Sequence, residues 1–483
     1  MSSPAASPRA LSPAILITAA LLGIANALLW IAQADSSNLG TIWKAGEFVR
    51  AGDTFRLYNF SSYPDQPFLY LPLLAALTAP LTAVFSFEVA QFLLVLAQGF
   101  CLVLLVASAY ALWFKRTMPL AWLVPTSILA WFSAAFQMGS ATGHISVVAL
   151  AAVTWALTAT RRHAVLSGLV LGVAGSLTLT PLVLVIPLLL WSSTRLAGAW
   201  AIVGAGAAVV LSALSTGLFS VREWVGALRE VLGGAVINKE NQAFSAIVMG
   251  HREPLPRGVD TQVLTEVPAW LHLVPLLAAL LIAAATCWVA WLNARYAQEI
   301  LLIGWLCAAY LACPLLWTHS LLFLVLPIAG ILAMVRPRRY QDALWTPLAI
   351  IALLLFWPLA SSTSFEDDGM GVPWGGLLAA LLITVLFLLA AAAPTREPGR
   401  ALGESAPLSD TAEATAEEAA DSLVDDAPNI REWYQQGSQR LREAWHRRTE
   451  RHSHREPRAE SRKEKDEEKD SARESRDADY DLD

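Results

Sequence analysis

The chain has 483 residues, 55% of them hydrophobic, and a mean hydropathy of +0.49. So much apolar surface excludes a water-soluble domain, and no nucleic-acid partner is expected. The net charge of −6 comes from the C-terminal tail, where 24 acids stand against 16 bases from residue 395 onward, so it says nothing about a substrate.

Apolar runs of spanning length recur at 13–33, 68–86, 88–113, 119–137, 144–160, 197–219, 268–292, 299–316, 318–335, 343–361 and 374–393. A longer run, 164–192, is interrupted from Gly175 through Pro181 and reads as two short helices or one kinked one. In lipid the backbone must satisfy its own hydrogen bonds, and the Ala, Leu and Val composition suits helices, not alternating barrel strands. The expected fold is all-α and polytopic, with about 11–13 transmembrane helices. Ala32-Gln33-Ala34 resembles a signal-peptidase site, but the run before it is long enough to span, so a retained first helix is expected. The four cysteines, Cys101, Cys287, Cys307 and Cys313, lie inside apolar runs and read as small hydrophobes.

Positive residues orient such a chain. Lys115-Arg116, Arg161-Arg162, Arg195, Arg295 and Arg336 to Arg339 are expected on the cytoplasmic side. That places 34–67, 138–143, 177–180, 220–267 and the turn Trp317-Thr318-His319 outside. One conflict arises: two full spans between 68 and 113 put Lys115 outside, against the rule. Residues 1–393 are expected to form a transmembrane domain with two large outside loops, 34–67 and 220–267. Residues 394–483, poor in apolar side chains, are expected to be a charged, mostly disordered cytoplasmic tail.

Several residues have the chemistry for a site at the outer surface. Asp35 stands at the outer end of the first run beside Ser36, Ser37 and Asn38, where a carboxylate can be tuned to act as a base. His319 falls where one run ends and another begins. A neutral imidazole there can bind a phosphate, orient a carboxylate or shuttle a proton. His144, in Gly143-His144-Ile145-Ser146, has a weaker case of the same kind. Lys239 and Arg252 in the second large loop can neutralise an anionic phosphate. Each has an ordinary structural alternative: a helix-end acid, an interfacial histidine, a solvated loop cation. There is no Gly-rich phosphate loop, no Walker motif, no dinucleotide fingerprint and no HExxH, so no cofactor is expected.

The residues form an ordered set. An acid follows the first run (Asp35), and Tyr70-Leu71-Pro72 opens the second. Gly139-x-x-x-Gly143-His-Ile-Ser ends at Ser146, Thr178-Leu179-Thr180-Pro181 follows a Gly-rich segment, Asn241-Gln242-Ala243-Phe244-Ser245 lies in the second loop, and Pro314-Leu315-Leu316-Trp317-Thr318-His319-Ser320 comes late. Over residues 13–393 this order resembles the actinobacterial alpha-mannosyltransferases that use polyprenyl-phosphate-mannose, within the C-type membrane glycosyltransferase superfamily. The chain departs from that pattern at four places. Leu71 replaces the first proline of Tyr-Pro-Pro, His144 stands where glutamine is common, Thr178 stands where a lysine often precedes the mid-chain proline, and Ala243 replaces the serine of Asn-Gln-Ser.

The resemblance implies a helical fold with an outward-facing cavity at the extracytoplasmic face of the plasma membrane. It implies Asp35 as the catalytic acid of the family and His319 as an active-site histidine. Lys239, Arg252, Asn241, Gln242, Tyr70, His144 and Thr178 are expected to contact the donor phosphate or substrate. The implied partners are a polyprenyl-phosphate sugar, a glycolipid or lipoglycan acceptor, and the bilayer. No Asp-x-Asp stands at Asp35, so no metal is implied. A polyprenyl-phosphate-arabinose donor is a close variant. A transporter or flippase of a lipid-linked saccharide is the rival class, but it should carry ionisable pairs at mid-membrane and two related halves, and the sequence shows few deep charges and no halves.

Overall fold

The computed structural model describes residues 12–30, 37–63, 66–253, 261–293, 295–335 and 374–392. Asp35, the 336–339 arginines, the 343–361 run and the tail lie outside these described residues. The described chain is almost entirely helical. Its helices are α1 (Pro13–Trp30), α2 (Ser37–Ala51), α3 (Pro72–Val84), α4 (Phe87–Phe114), α5 (Leu120–Trp131), α6 (Ala134–Thr142), α7 (Ser146–Ala159), α8 (Ala164–Thr178), α9 (Val185–Leu190) and α10 (Arg195–Thr216). They continue with α11 (Leu218–Gly233), α12 (Phe244–Arg252), α13 (Trp270–Leu292), α14 (Ala297–Ala312), α15 (Val325–Val335) and α16 (Gly375–Ala392). Two short strands, β1 (Ala235–Asn238) and β2 (Thr261–Leu264), pair antiparallel with Ala235 opposite Leu264 and Asn238 opposite Thr261.

Five described helices, α1, α4, α10, α13 and α16, are each long and apolar enough to cross a bilayer. The pair α5 and α6, bent by 62°, makes six if it counts as one broken span. The other apolar runs among the described residues fold into shorter helices. The 164–192 run breaks where its composition says it should: α8 stops at Thr178, Leu179 has φ +61°, and a 3-10 turn, Thr180–Leu184, leads into α9. The protein is therefore a multi-pass helical membrane protein.

Contacts between helices fix which ends lie together. Ile15 and Ala19 of α1 pack with Val103 and Ala107 of α4, and Asn26 of α1 donates to the Val95 carbonyl, so the two helices are antiparallel. In α8 and α10, Gly168 lies against Ala197 and Gly172 against Ala201, so these two run in the same direction. The return through α9 makes that possible. At one end of the bundle Lys115 forms an ion pair with Glu299, Arg161 donates to Gln298 Oε1 at 2.7 Å, and Asn293 donates to the Ala391 carbonyl at 3.1 Å.

The Lys115 conflict disappears in this arrangement. α2 and α3 lie side by side in the same direction. Tyr70 meets Asn38, Gly46 faces Thr78, and Arg50 reaches the Thr82 carbonyl at 2.7 Å. At 13 residues α3 is about 20 Å long, short of the roughly 30 Å of a bilayer core. It returns the chain to Ser86, which caps the start of α4. Only α4 then crosses, which brings Lys115 to the end that holds Arg161 and Arg295.

Candidate functional site

The other end of the bundle holds most of the polar residues the sequence singled out. The break between α6 and α7 makes the first part of the site. Ser133 caps α6 by accepting from the Phe136 amide, and Gly143 ends it in the left-handed region at φ +67°. A Cβ at Gly143 would come within 2.8 Å of Leu39 Cβ, so only glycine permits both this turn and the close approach of α2. The turn delivers His144 into the protein interior. Gln98 of α4 donates to the His144 carbonyl at 2.8 Å and the Gly139 carbonyl at 3.0 Å. Gln98 sits about 16 Å along α4 from its start, so the site is recessed below that end of the bundle.

Around the His144 ring the hydrogen bonds define a tautomer. The Ser146 backbone N–H donates to Nδ1 at 3.1 Å, so Nδ1 is unprotonated, and the Ser146 hydroxyl lies 2.8 Å from the same nitrogen. The proton is therefore on Nε2, which donates to the Tyr70 hydroxyl at 2.7 Å. Tyr70 in turn donates to Asn38 Oδ1 at 3.0 Å, and Asn38 Nδ2 donates to Gln66 Oε1 at 3.3 Å.

The second part of the site is the late turn. Trp317 caps a 3-10 turn, Thr318–Leu324, that leads into α15. The loop after β1 holds this turn like a clamp. Asn241 donates to the Val236 and Pro314 carbonyls at 2.9 and 3.1 Å, and its Oδ1 accepts from the Leu316 and Ala243 amides at 3.0 and 3.2 Å. The Gln242 amide donates to the Leu316 carbonyl at 2.6 Å, and the Thr318 amide donates to the Glu240 carbonyl at 2.8 Å. Gln242 Oε1 accepts from the Gly376 amide at 3.2 Å, which ties α16 to the same turn. Two residues later His319 lies against His144, ring centroids 3.5 Å apart and planes at 29°. His319 is 3% exposed, and neither of its ring nitrogens has a hydrogen-bond partner among the described residues.

The structure thus brings Tyr70, His144 and His319 together and places Asn241 and Gln242 in the wall that holds them. The Asn241 amide is fully used by backbone groups. Lys239 and Arg252 are exposed, Arg252 over the Trp270 ring at 5.8 Å, and neither is hydrogen-bonded to the histidines. Thr178, at the end of α8, bonds back to the Ala174 carbonyl at 3.5 Å. Sequence reasoning passed over Gln98 and treated Asn38 only as a neighbour of Asp35. The signal for Gln98 was present, since an amide inside an apolar span needs a partner.

The recessed polar site thus lies at one end of a multi-pass helical bundle. The family model described as glycosyltransferase family 87 matches residues 68–314. The chain belongs to that family and is a glycosyltransferase. The matched segment contains Tyr70, His144, Thr178 and the second loop, while Asp35 and His319 lie outside it. No curated protein and no solved structure matches the chain.

Proposed function

We propose that the protein transfers mannose from a polyprenyl-phosphate carrier to a glycolipid or lipoglycan acceptor at the extracytoplasmic face of the plasma membrane. The observation that supports this reading is His319, a buried imidazole with both nitrogens unpartnered among the described residues, at the end of the bundle opposite Lys115, Arg161 and Arg295. An unmet buried polar group of this kind is costly, on the order of 1–3 kcal/mol, and a substrate that supplies the missing partners removes the cost. The arginine-bearing end is cytoplasmic by the positive-inside rule, which puts the histidines outside.

In this reading the carrier's chain stays in the bilayer, where burial is favourable by about 0.8 kcal/mol per CH₂, and only its charged head reaches the site. Asp35, three positions before the Asn38 that accepts from the Tyr70 hydroxyl, removes the acceptor hydroxyl's proton. That hydroxyl oxygen then forms a bond to the anomeric carbon as the bond to the phosphate oxygen breaks. The displacement inverts a beta-linked donor to an alpha-linked product. The leaving phosphate needs cations or donors, and Lys239 and Arg252 on the second loop are the nearest in sequence to the clamp. Asn241 and Gln242 hold the turn that presents His319, and Thr178 ends the helix beside the Thr180–Leu184 turn.

Purified protein given radiolabelled polyprenyl-phosphate-mannose and a glycolipid extract tests this. Wild type is expected to transfer label, Asp35→Asn to lose about 10² or more of the rate, and His319→Ala to fall similarly, both still folded. Full activity in Asp35→Asn would remove that carboxylate from the mechanism. Transfer from the arabinose donor instead of the mannose donor would change the sugar and keep the chemistry.

A further inference from the structure

The two stacked histidines play different parts. Every polar atom of His144 is already engaged. Its carbonyl accepts from Gln98, Nδ1 accepts from Ser146, and Nε2–H donates to Tyr70. The direction of each bond is set, because the backbone amide of Ser146 can only donate. The chain continues through Tyr70 to Asn38, at the first turn of α2. No nitrogen of His144 is left for a phosphate or a hydroxyl.

His319 is the opposite case. With no hydrogen bond at either nitrogen among the described residues, its ring orientation is defined there by packing. The packing surfaces are the His144 face at 3.5 Å, the Trp317 ring at 6.2 Å and nearly parallel, and the α6 backbone at Gly139, where an added Cβ would lie 3.2 Å from His319 Cβ. His144 is the closest of these and the one whose plane is itself held by hydrogen bonds.

We infer that His144 is a positioning residue: the Ser146–His144–Tyr70–Asn38 chain locks its ring as a platform that aims the free nitrogens of His319 at the substrate. The role rests on the glycosyl-transfer reading above for its kinetic consequence, but not for its geometry. The chain also couples the first loop, where Asn38 follows Asp35, to the late turn that carries His319. A ring turned by loss of the chain keeps the fold and binds donor, yet misplaces the group that acts on it.

The test has two arms. In the kinetic arm, Tyr70→Phe removes one hydroxyl and keeps the ring. It is expected to lower kcat about tenfold with KM changed by less than about twofold. His144→Phe, which keeps a stacking face, is expected to retain more activity than His144→Ala. A merely structural role would lower thermal stability in step with activity and leave kcat per folded molecule unchanged, which overturns the proposal. In the second arm, solid-state NMR on ¹⁵N-histidine protein in lipid bilayers reads tautomers directly. His144 is expected as Nε2–H between pH 5 and 8, and Tyr70→Phe is expected to shift the His319 signals. Unmoved His319 signals, or His144 protonated on Nδ1, sinks the idea. If wild type transfers no label, the glycosyl-donor reading fails and the NMR arm still decides the positioning claim.

Discussion

His144 and His319 lie ring on ring, yet among the described residues only the His144 ring is hydrogen-bonded, and that difference follows from single residues around them. Ser146 presents its amide two positions after His144 because α7 starts there, and Tyr70 arrives from another segment to take the proton on Nε2. These bonds hold His144 as the Nε2–H tautomer. Gly143 is a residue with a sharp expectation. Its left-handed φ and the nearness of Leu39 make Gly143→Ala costly, by about 1–2 kcal/mol from the backbone alone. A lowered melting temperature measures it.

At the scale of helices, close packing depends on small residues and on what interrupts an apolar run. A Cβ at Gly172 would overlap the Ala201 carbonyl, so α8 and α10 can approach only with glycine there. Gly172→Leu is expected to separate the pair and reduce the yield of folded, monodisperse protein on size exclusion. α3 shows why hydropathy alone miscounts. Its sequence is as apolar as a span, but Pro72 starts it beside Tyr70, and it ends at Val84 after 13 residues. It walls the recess and does not cross. The Gly175 to Pro181 interruption was readable in advance because glycine and proline act locally. The length of α3 was not, because contacts with α2 and α10 determine where it lies.

Among the described residues, two polar groups mark opposite ends of the helical bundle. Lys115, Arg161, Arg295 and the close of α16 share one, and Tyr70, His144, Gln242 and His319 share the other. In a cysteine-free background, Ser86→Cys is expected to react with a membrane-impermeant maleimide in intact cells, and Arg162→Cys only after permeabilisation. Labelling of both from one side would overturn the direction assigned to α4.

The sequence by itself determined the class of the fold. Runs of apolar residues with few charges force helices in lipid, and the Lys and Arg pairs mark one side, because both effects act locally along the chain. It also marked His319, Tyr70, His144 and Gln242 by their order. Tertiary structure alone decided which partners these residues meet. Asn38, Gln66, Tyr70, Gln98, His144 and His319 are far apart in the chain, and whether an imidazole is saturated or free depends on which helices deliver partners to it. Asn241 reads as a substrate contact in the sequence, and only the fold shows four backbone groups bonded to its amide. Hydrogen-bond saturation depends on contacts across the fold, and no local pattern encodes it.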